Sequence, residues 1–193
     1  MAAADADRFE PVSRAGWRAW LAEHHASWRA VWVVHARRPE PGSRPSYDDL
    51  VEEALCFGWV DSRSQGLDEE RALLYFTPRR PGGGWSRTNK LRVERLERDG
   101  LLAPAGRAVI EAARADGSWT LLDSVEALEV PPDLAVALAA TLGAAAHWEG
   151  FRPSARKQIL LWLATARRPE TRAARIAETA RLAADGVPSR AST

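Results

Sequence analysis

The chain has 193 residues, room for one domain or two small lobes, and 46% of them are apolar and 27% charged. This composition is that of an average soluble globular protein, which excludes a disordered tail, a collagen-like repeat and a disulfide-stapled miniprotein. The formal net charge is +1, and the single cysteine, Cys56, excludes an internal disulfide and a thiolate cluster for zinc. We therefore expect a globular protein of a reducing, cytoplasmic compartment.

The sequence contains no pattern typical of an export signal or a membrane span. Residues 1–10 carry three acidic side chains and lack the basic start and apolar run of a secretory signal. The longest uncharged stretch, residues 134–148, is about 15 residues long, whereas roughly 20 are needed to cross a bilayer. We expect no membrane insertion.

The first 77 residues predict the element order α-β-α-β-β. Ser13 and Ser46 are suitable N-cap residues for two helices, which run to Trp28 and to Gly58. A loop with three prolines separates these two helices from each other. Three β-branched, aromatic or extended segments predict strands; they cover residues 31–34, 59–63 and 71–77.

Every predicted element beyond residue 77 is a helix, because apolar residues recur at helical spacing and proline stands repeatedly at first-turn positions. The predicted helices cover residues 86–98, 104–114, 131–142, 153–166 and 169–184. The fold class is therefore α+β. We predict a small N-terminal sheet with helices, residues 1–84, packed on a C-terminal helical part, residues 85–186, and a disordered tail, residues 187–193.

Charge is distributed unevenly along the chain. Residues 1–76 have a net charge of −4 and residues 101–151 of −5, whereas residues 77–100 have +4 and residues 152–193 have +6. Such segregation hints at an anionic partner. The basic residues of the last block form either a solvated face or a surface for an acidic protein or nucleic acid; they include Arg156, Lys157, Arg167, Arg168, Arg172 and Arg175.

The segment 77–90 is the most informative for function, because it places arginines, three glycines and a tryptophan directly before a helix. Free N–H groups at a helix N-terminus, with guanidinium groups beside them, suit phosphate or carboxylate. The spacing matches neither a P-loop nor a dinucleotide fingerprint. The alternative is a connector in which Ser86 caps the helix and Trp85 fills the core. The candidate ligand-binding residues of this segment are Arg79, Arg80, Trp85, Ser86 and Asn89.

A second candidate is the extended segment that follows the helix ending at Gly58. A spacing of two predicts that Asp61 and Arg63 lie on one side of the strand, where they pair with each other or with neighbouring arginines. Trp59 either contributes a ring face to the same site or belongs to the core. Cys56 has no obvious basic neighbour, so we interpret it as a packing residue rather than a nucleophile.

The histidines do not predict a metal site. His24 and His25 are adjacent on a helix and point about 100° apart, which is poor for one metal ion. His147 and Glu149 match the first half of a zinc deaminase signature, but the cysteine half is missing. We expect no metal and no cofactor.

Several motifs occur in an order and spacing that resemble a known family. They are Glu53-Ala-Leu-Cys-Phe-Gly-Trp-Val-Asp-Ser62, Phe76-Thr-Pro-Arg-Arg80, Trp85-Ser86…Asn89, Val130-Pro-Pro-Asp133, Arg156-Lys-Gln-Ile159 and Ala166-Arg-Arg-Pro-Glu-Thr-Arg172. Together they resemble the bacterial YdeI/OmpD-associated family of bacteriocin-protection proteins, from about Trp17 to Gly186. The resemblance implies a link to an outer-membrane porin and to protection against bacteriocins or envelope stress, and it supplies no catalytic set.

From the residues and this resemblance we expect a non-enzymatic stress or bacteriocin-protection protein. A basic pocket around Arg63, Arg79, Arg80 and the Ser86 helix terminus would bind an anionic small molecule or an acidic partner. The alternative is an enzyme acting on a phosphate- or carboxylate-bearing small molecule, with Asp61 as general base. Nucleic-acid binding would need the two basic blocks to form one surface and is the less favoured prediction.

Overall fold

The computed structural model describes residues 7–38 and 44–188. Most of the predicted proline loop and of the predicted disordered tail falls outside these residues. The predicted α+β class is confirmed, with one four-stranded sheet near the N-terminus and helices in the rest of the described chain. The chain forms two compact units: unit 1 comprises residues 1–83 and 88–119, and unit 2 comprises residues 84–87 and 120–193.

Unit 1 contains the sheet. Its strands have the order β1-β2-β4-β3, in which β1 is parallel to β2 and the other neighbours are antiparallel. In chain order the elements are β1 (Arg8–Phe9), α1 (Arg14–His24), β2 (Val31–Ala36), α2 (Tyr47–Cys56), β3 (Trp59–Gly66), β4 (Arg71–Pro78), α3 (Arg87–Arg98) and α4 (Pro104–Ala115).

Two details at the start of unit 1 differ from the sequence prediction. The two-residue strand β1 was not predicted, and α1 ends at His24 instead of reaching Trp28. The ring of Trp28 nevertheless lies 5.1 Å from that of Trp20 and 5.4 Å from that of His24. Trp28 thus packs against α1 from a turn, which explains why its spacing fits a helical face.

The core of unit 1 is rich in indole rings. Trp17 and Leu21 of α1 are fully buried, and the Trp17 ring lies 5.4 Å from Phe76 of β4. The Trp17 Nε1–H donates to the carbonyl of Leu50 at 3.0 Å, which ties α1 to α2. Because a buried N–H without an acceptor costs free energy, this bond favours one orientation of the Trp17 ring in the core.

Unit 2 consists of helices joined by short turns and connections in its described residues. It contains α5 (Asp123–Glu126), α6 (Pro132–Ala140), α7 (Ala144–Gly150), α8 (Pro153–Ala164) and α9 (Pro169–Ala184), around a core of leucine, isoleucine, alanine and Trp148. The short helices α5 and α7 were not predicted, since four and seven residues carry too little periodicity. None of the described helices is both long and apolar enough to cross a membrane.

Candidate functional site

A carboxylate, a phenol and a guanidinium meet at the end of the sheet in unit 1. The Tyr47 hydroxyl, at the start of α2, donates to Oδ2 of Asp61 on β3 at 2.8 Å. Arg79 directly follows β4, is half-buried, and its backbone N–H donates to the carbonyl of Gly58 at 2.9 Å. We call Tyr47, Asp61 and Arg79 the Asp61 cluster.

Burial and the charge of Asp61 together determine the pKa values of Arg79 and Tyr47. Burial lowers the pKa of Arg79 to about 10, and the nearby Asp61 carboxylate offsets part of this effect. Burial, together with the hydrogen bond to Asp61 and its negative charge, raises the pKa of Tyr47 to about 12. At neutral pH the cluster therefore holds a guanidinium cation and a protonated phenol.

The prediction that Asp61 and Arg63 share one side of β3 is wrong, because a β-bulge lies between them. Asp61 is opposite Phe76 of β4, whereas Arg63 is opposite Tyr75. Cross-strand partners share a face and successive strand residues alternate, so the two side chains lie on opposite faces. Arg63 lies over the Tyr75 ring at 5.9 Å, away from the Asp61 cluster.

The other predicted site residues are distributed between core and surface. Trp59 is only 1% exposed, and its Nε1–H donates to the carbonyl of His25, so neither ring face is open to a ligand. Arg80 is exposed and lies in unit 1 beside Arg79. Trp85 is buried and Ser86 half-buried, and both belong to unit 2.

Asn89 belongs to a polar chain that sequence reasoning found only in part. It is buried on α3, and its Oδ1 accepts a hydrogen bond from Arg92 at 2.9 Å. Arg92 also pairs with Asp48 and lies over the Tyr47 ring at 5.9 Å. Asp48 and Arg92 connect Asn89 to the Asp61 cluster; their separation of 44 residues gave no sequence signal.

A carboxylate of the protein, that of Asp116, already occupies the backbone N–H of Gly82 in the segment 77–90. The Asp116 carboxylate accepts the N–H of Ser118 at 2.8 Å and also bonds the N–H of Gly82. Hydrogen bonds from Ser118, and then from Gly82, hold the pKa of Asp116 below its usual range. Gly83 closes a turn by donating to the carbonyl of Arg80 at 3.2 Å. An external anion at these amides would have to displace Asp116.

The acidic helix α2 is neutralised by arginines of both neighbouring helices. Arg14 of α1 bonds Asp49, Glu52 and Glu53, and Arg18 donates to Glu53 at 2.7 Å. Arg95 of α3 pairs with Glu52. Arg95 comes from the positive block 77–100, whereas Arg14 and Arg18 belong to the negative block 1–76 itself. The acids of α2 therefore pair both within their own block and with the next one.

Unit 2 pairs its charge blocks in the same way. Lys157 and Arg156 of α8 pair with Glu126 at 2.7 Å and Glu149 at 3.4 Å, and Arg172 of α9 forms a fork on Asp133 at 2.6 and 3.0 Å. Three of the nine basic residues of the last block thus pair with acids of the block before it. The expectation of an anionic partner now depends on the remaining arginines.

Metal binding and thiol reactivity depend on how the His, Cys, Asp and Glu side chains are arranged. Within residues 7–38 and 44–188, no group of three or more His, Cys, Asp or Glu side chains is arranged to hold a metal ion. Cys56 is buried, and burial together with the charge of Glu53 raises the pKa of its thiol to about 11, against an opposing effect of a hydrogen bond with Arg18. The expectation that Cys56 has no basic neighbour is therefore wrong, because folding brings Arg18 of α1 to it. A protonated, buried thiol agrees with its interpretation as a packing residue.

Comparison with known families finds two separate matches along the chain. Residues 9–109, more than half of the chain, match the family described as "Domain of unknown function (DUF8412)". The chain belongs to this family. Residues 127–186 match the family described as "Bacteriocin-protection, YdeI or OmpD-Associated", which confirms the predicted resemblance for this segment. No curated protein and no solved structure matches the chain.

The two family segments carry different functional candidates. The Asp61 cluster lies in the DUF8412 segment, together with α2 and its arginine partners. The basic residues of α8 and α9 lie in the YdeI/OmpD-associated segment, which falls wholly within unit 2. The motifs around Asp61 and Arg79, which resembled the second family at the sequence level, are covered by the first.

Proposed function

We propose that this protein is a non-enzymatic, cytoplasmic stress or bacteriocin-protection protein that binds a small anionic ligand at the Asp61 cluster. The observation that carries the proposal is the half-buried guanidinium of Arg79, next to a carboxylate that accepts a phenol hydrogen bond. A partly desolvated guanidinium gains more from an anionic ligand than an exposed one does, because water competes less for its donors. The YdeI/OmpD-associated match supports the protective role.

The cluster favours a ligand with two kinds of polar group. Arg79 and the exposed Arg80 offer forked donors for a carboxylate or phosphate. Asp61 keeps acceptor capacity beyond the one bond from Tyr47, since a carboxylate has about four lone-pair sites. A carboxylate- or phosphate-bearing metabolite that also has a hydroxyl or amino donor satisfies both sides.

The geometry supports binding better than proton transfer. The Tyr47 hydroxyl donates to Oδ2 of Asp61, so a proton taken up by that oxygen would cost the hydrogen bond. The Asp61 carboxylate in turn favours the charged form of the nearby Arg79 guanidinium. A general base must have an oxygen within reach of the substrate proton, and Oδ2 of Asp61 already accepts the Tyr47 hydrogen bond.

The experiment is a thermal-shift screen of the full chain against phosphorylated metabolites, nucleotides, dicarboxylates and short oligonucleotides. A ligand at 100 times its Kd stabilises the folded protein by about 2.7 kcal/mol, which raises the Tm measurably. We expect a small anion to stabilise wild type and to lose this effect in Arg79→Ala/Arg80→Ala. The matched control is Arg98→Ala/Arg107→Ala, which removes the same charge from exposed positions of unit 1.

Two results would overturn the proposal. Either no anion shifts the Tm of wild type, or the control variant loses the shift as fully as Arg79→Ala/Arg80→Ala does. A further variant, Asp61→Asn, separates ligand classes: it should weaken ligands with a hydroxyl or amino donor and strengthen plain inorganic phosphate, because a negative charge is removed beside Arg79.

A further inference from the structure

The corner between α8 and α9 in unit 2 combines exposed apolar and basic side chains. Leu161 and Trp162, in the last turn of α8, are 39% and 38% exposed. Arg167 and Arg168 are exposed in the connection that follows, and Arg175 projects back from α9. We call Leu161, Trp162, Thr165, Arg167, Arg168 and Arg175 the α8–α9 corner.

Arg175 holds the corner in a fixed shape. Its guanidinium carbon lies 4.9 Å from the centre of the Trp162 ring, and its Nη1 bonds the Trp162 carbonyl and, at 3.4 Å, the Thr165 hydroxyl. These contacts cap the C-terminal end of α8 and restrict the indole. An exposed side chain that is already ordered loses little entropy on binding.

Arg167 and Arg168 differ from the other basic side chains around them. Lys157, Arg156 and Arg172 each have an acidic partner in unit 2. Within the part of the chain that the structure describes, the guanidinium groups of Arg167 and Arg168 make no ion pair. These two guanidinium groups follow closely after Leu161 and Trp162 in the chain.

We propose that the α8–α9 corner docks an acidic segment of a partner protein, with an apolar side chain against Leu161 and Trp162 and carboxylates against Arg167 and Arg168. Trp and Arg are the residues that carry most binding energy in protein interfaces. The exposed leucine and the guanidinium over one face of the indole favour this partner over nucleic acid, because bases stack on open aromatic faces and gain nothing from leucine.

The test uses the full chain with 5-fluorotryptophan in place of its nine tryptophans, observed by ¹⁹F NMR. The Trp162→Phe variant assigns the Trp162 signal. The probes are a short peptide in which glutamates alternate with leucines, the same peptide with glutamine for glutamate, and an oligothymidylate of equal charge. We expect only the acidic peptide to shift the Trp162 signal in a saturable way.

The variant Arg167→Ala/Arg168→Ala should weaken this binding by about tenfold or more, whereas the charge-matched Arg98→Ala/Arg107→Ala should leave it unchanged. The proposal is overturned if the acidic peptide leaves the Trp162 signal unmoved, if the glutamine peptide binds as well, or if the oligothymidylate binds more tightly. Failure here leaves the Asp61 cluster untouched, because that cluster belongs to unit 1 and is tested with different variants.

Discussion

Glu53 is 3% exposed yet carries two guanidinium partners, Arg14 at 2.6 Å and Arg18 at 2.7 Å. A carboxylate buried this deeply is tolerated only because its charge is balanced and its oxygens are hydrogen-bonded. Both arginines keep about a third of their side chains in water, so they can rehydrate when the carboxylate is removed. When the Glu53 charge is removed, the loss of stability therefore arises mainly from the replaced side chain and not from unpaired arginines.

Glu53→Gln is expected to reduce the free energy of unfolding by about 2 kcal/mol, because a neutral amide cannot accept both charged donors in the same place. Urea denaturation followed by circular dichroism measures this change. The control is Glu23→Gln at a position 77% exposed, where the change should stay within about 0.5 kcal/mol. Equal effects at the two positions would show that the buried network contributes nothing specific.

The indoles of Trp17 and Trp148 are equally buried but differ in hydrogen bonding. Trp17 donates to Leu50, whereas Trp148 Nε1 has no acceptor among the described residues. Trp17→Phe should therefore cost about 1 to 3 kcal/mol more than Trp148→Phe, in which an unsatisfied N–H is removed along with the ring area. Thermal unfolding of both variants measures the difference. A larger loss in Trp148→Phe would mean that an acceptor, such as a buried water, is bound there.

At the scale of elements, the sequence predicted what local chemistry determines. Ser13 and Ser46 accept the capping hydrogen bonds expected of them, and α4, α8 and α9 begin at prolines, as predicted. Long-range geometry was out of reach. The bulge that separates Asp61 from Arg63 depends on how β3 pairs with β4, and no single residue between them indicates it.

The close contact between α2 and α4 depends on Gly106, and this too could not be predicted from local sequence. A Cβ at Gly106 would lie 2.2 Å from the carbonyl oxygen of Cys56, so the two helices could not keep their present distance. Gly106→Ala is expected to destabilise the protein by about 3 kcal/mol or more, at the upper end of overpacking effects. Gly150→Ala is the control, because a Cβ there meets nothing within 4 Å, and it should stabilise the protein by about 0.4 to 1 kcal/mol. Chemical denaturation of both variants measures the two changes in the free energy of unfolding. If Gly150→Ala destabilised the protein as much as Gly106→Ala, the close approach at Gly106 would not be the cause.

At the scale of the whole molecule, part of the alternation of acidic and basic blocks along the chain reflects ion pairs between neighbouring blocks. Three bases of the last block take acidic partners from the block before it, and the arginines of α1 and α3 surround the acids of α2. The sequence alone could not distinguish ion pairs within the molecule from binding of an anionic partner, since both predict the same uneven distribution of charge. The distinction requires knowing which helices are neighbours.

The Asp133 and Arg172 pair makes part of the stability dependent on pH. The hydrogen bonds from Arg172 hold the pKa of Asp133 below its usual range, against a smaller effect of burial. A carboxyl whose pKa is lower in the folded state stabilises the protein fully above its unfolded pKa of about 3.9, and this contribution is lost as the pH falls through the folded pKa. Asp133→Asn should be less stable than wild type at neutral pH, and the gap should narrow below about pH 4. Urea titrations at several pH values measure it, and a gap independent of pH would exclude the pair as its cause.

The rings along α1 have an optical consequence. The centroids of Trp17 and Trp20 are 5.2 Å apart at an angle of 20°, and Trp28 continues the row at 5.1 Å from Trp20. Indoles at such separations couple electronically when excited, and their near-ultraviolet circular dichroism depends on keeping that arrangement. The signal belongs to unit 1, whereas Trp148 and Trp162 belong to unit 2. The chain thus contains its own spectroscopic label for following the melting of one unit separately from the other.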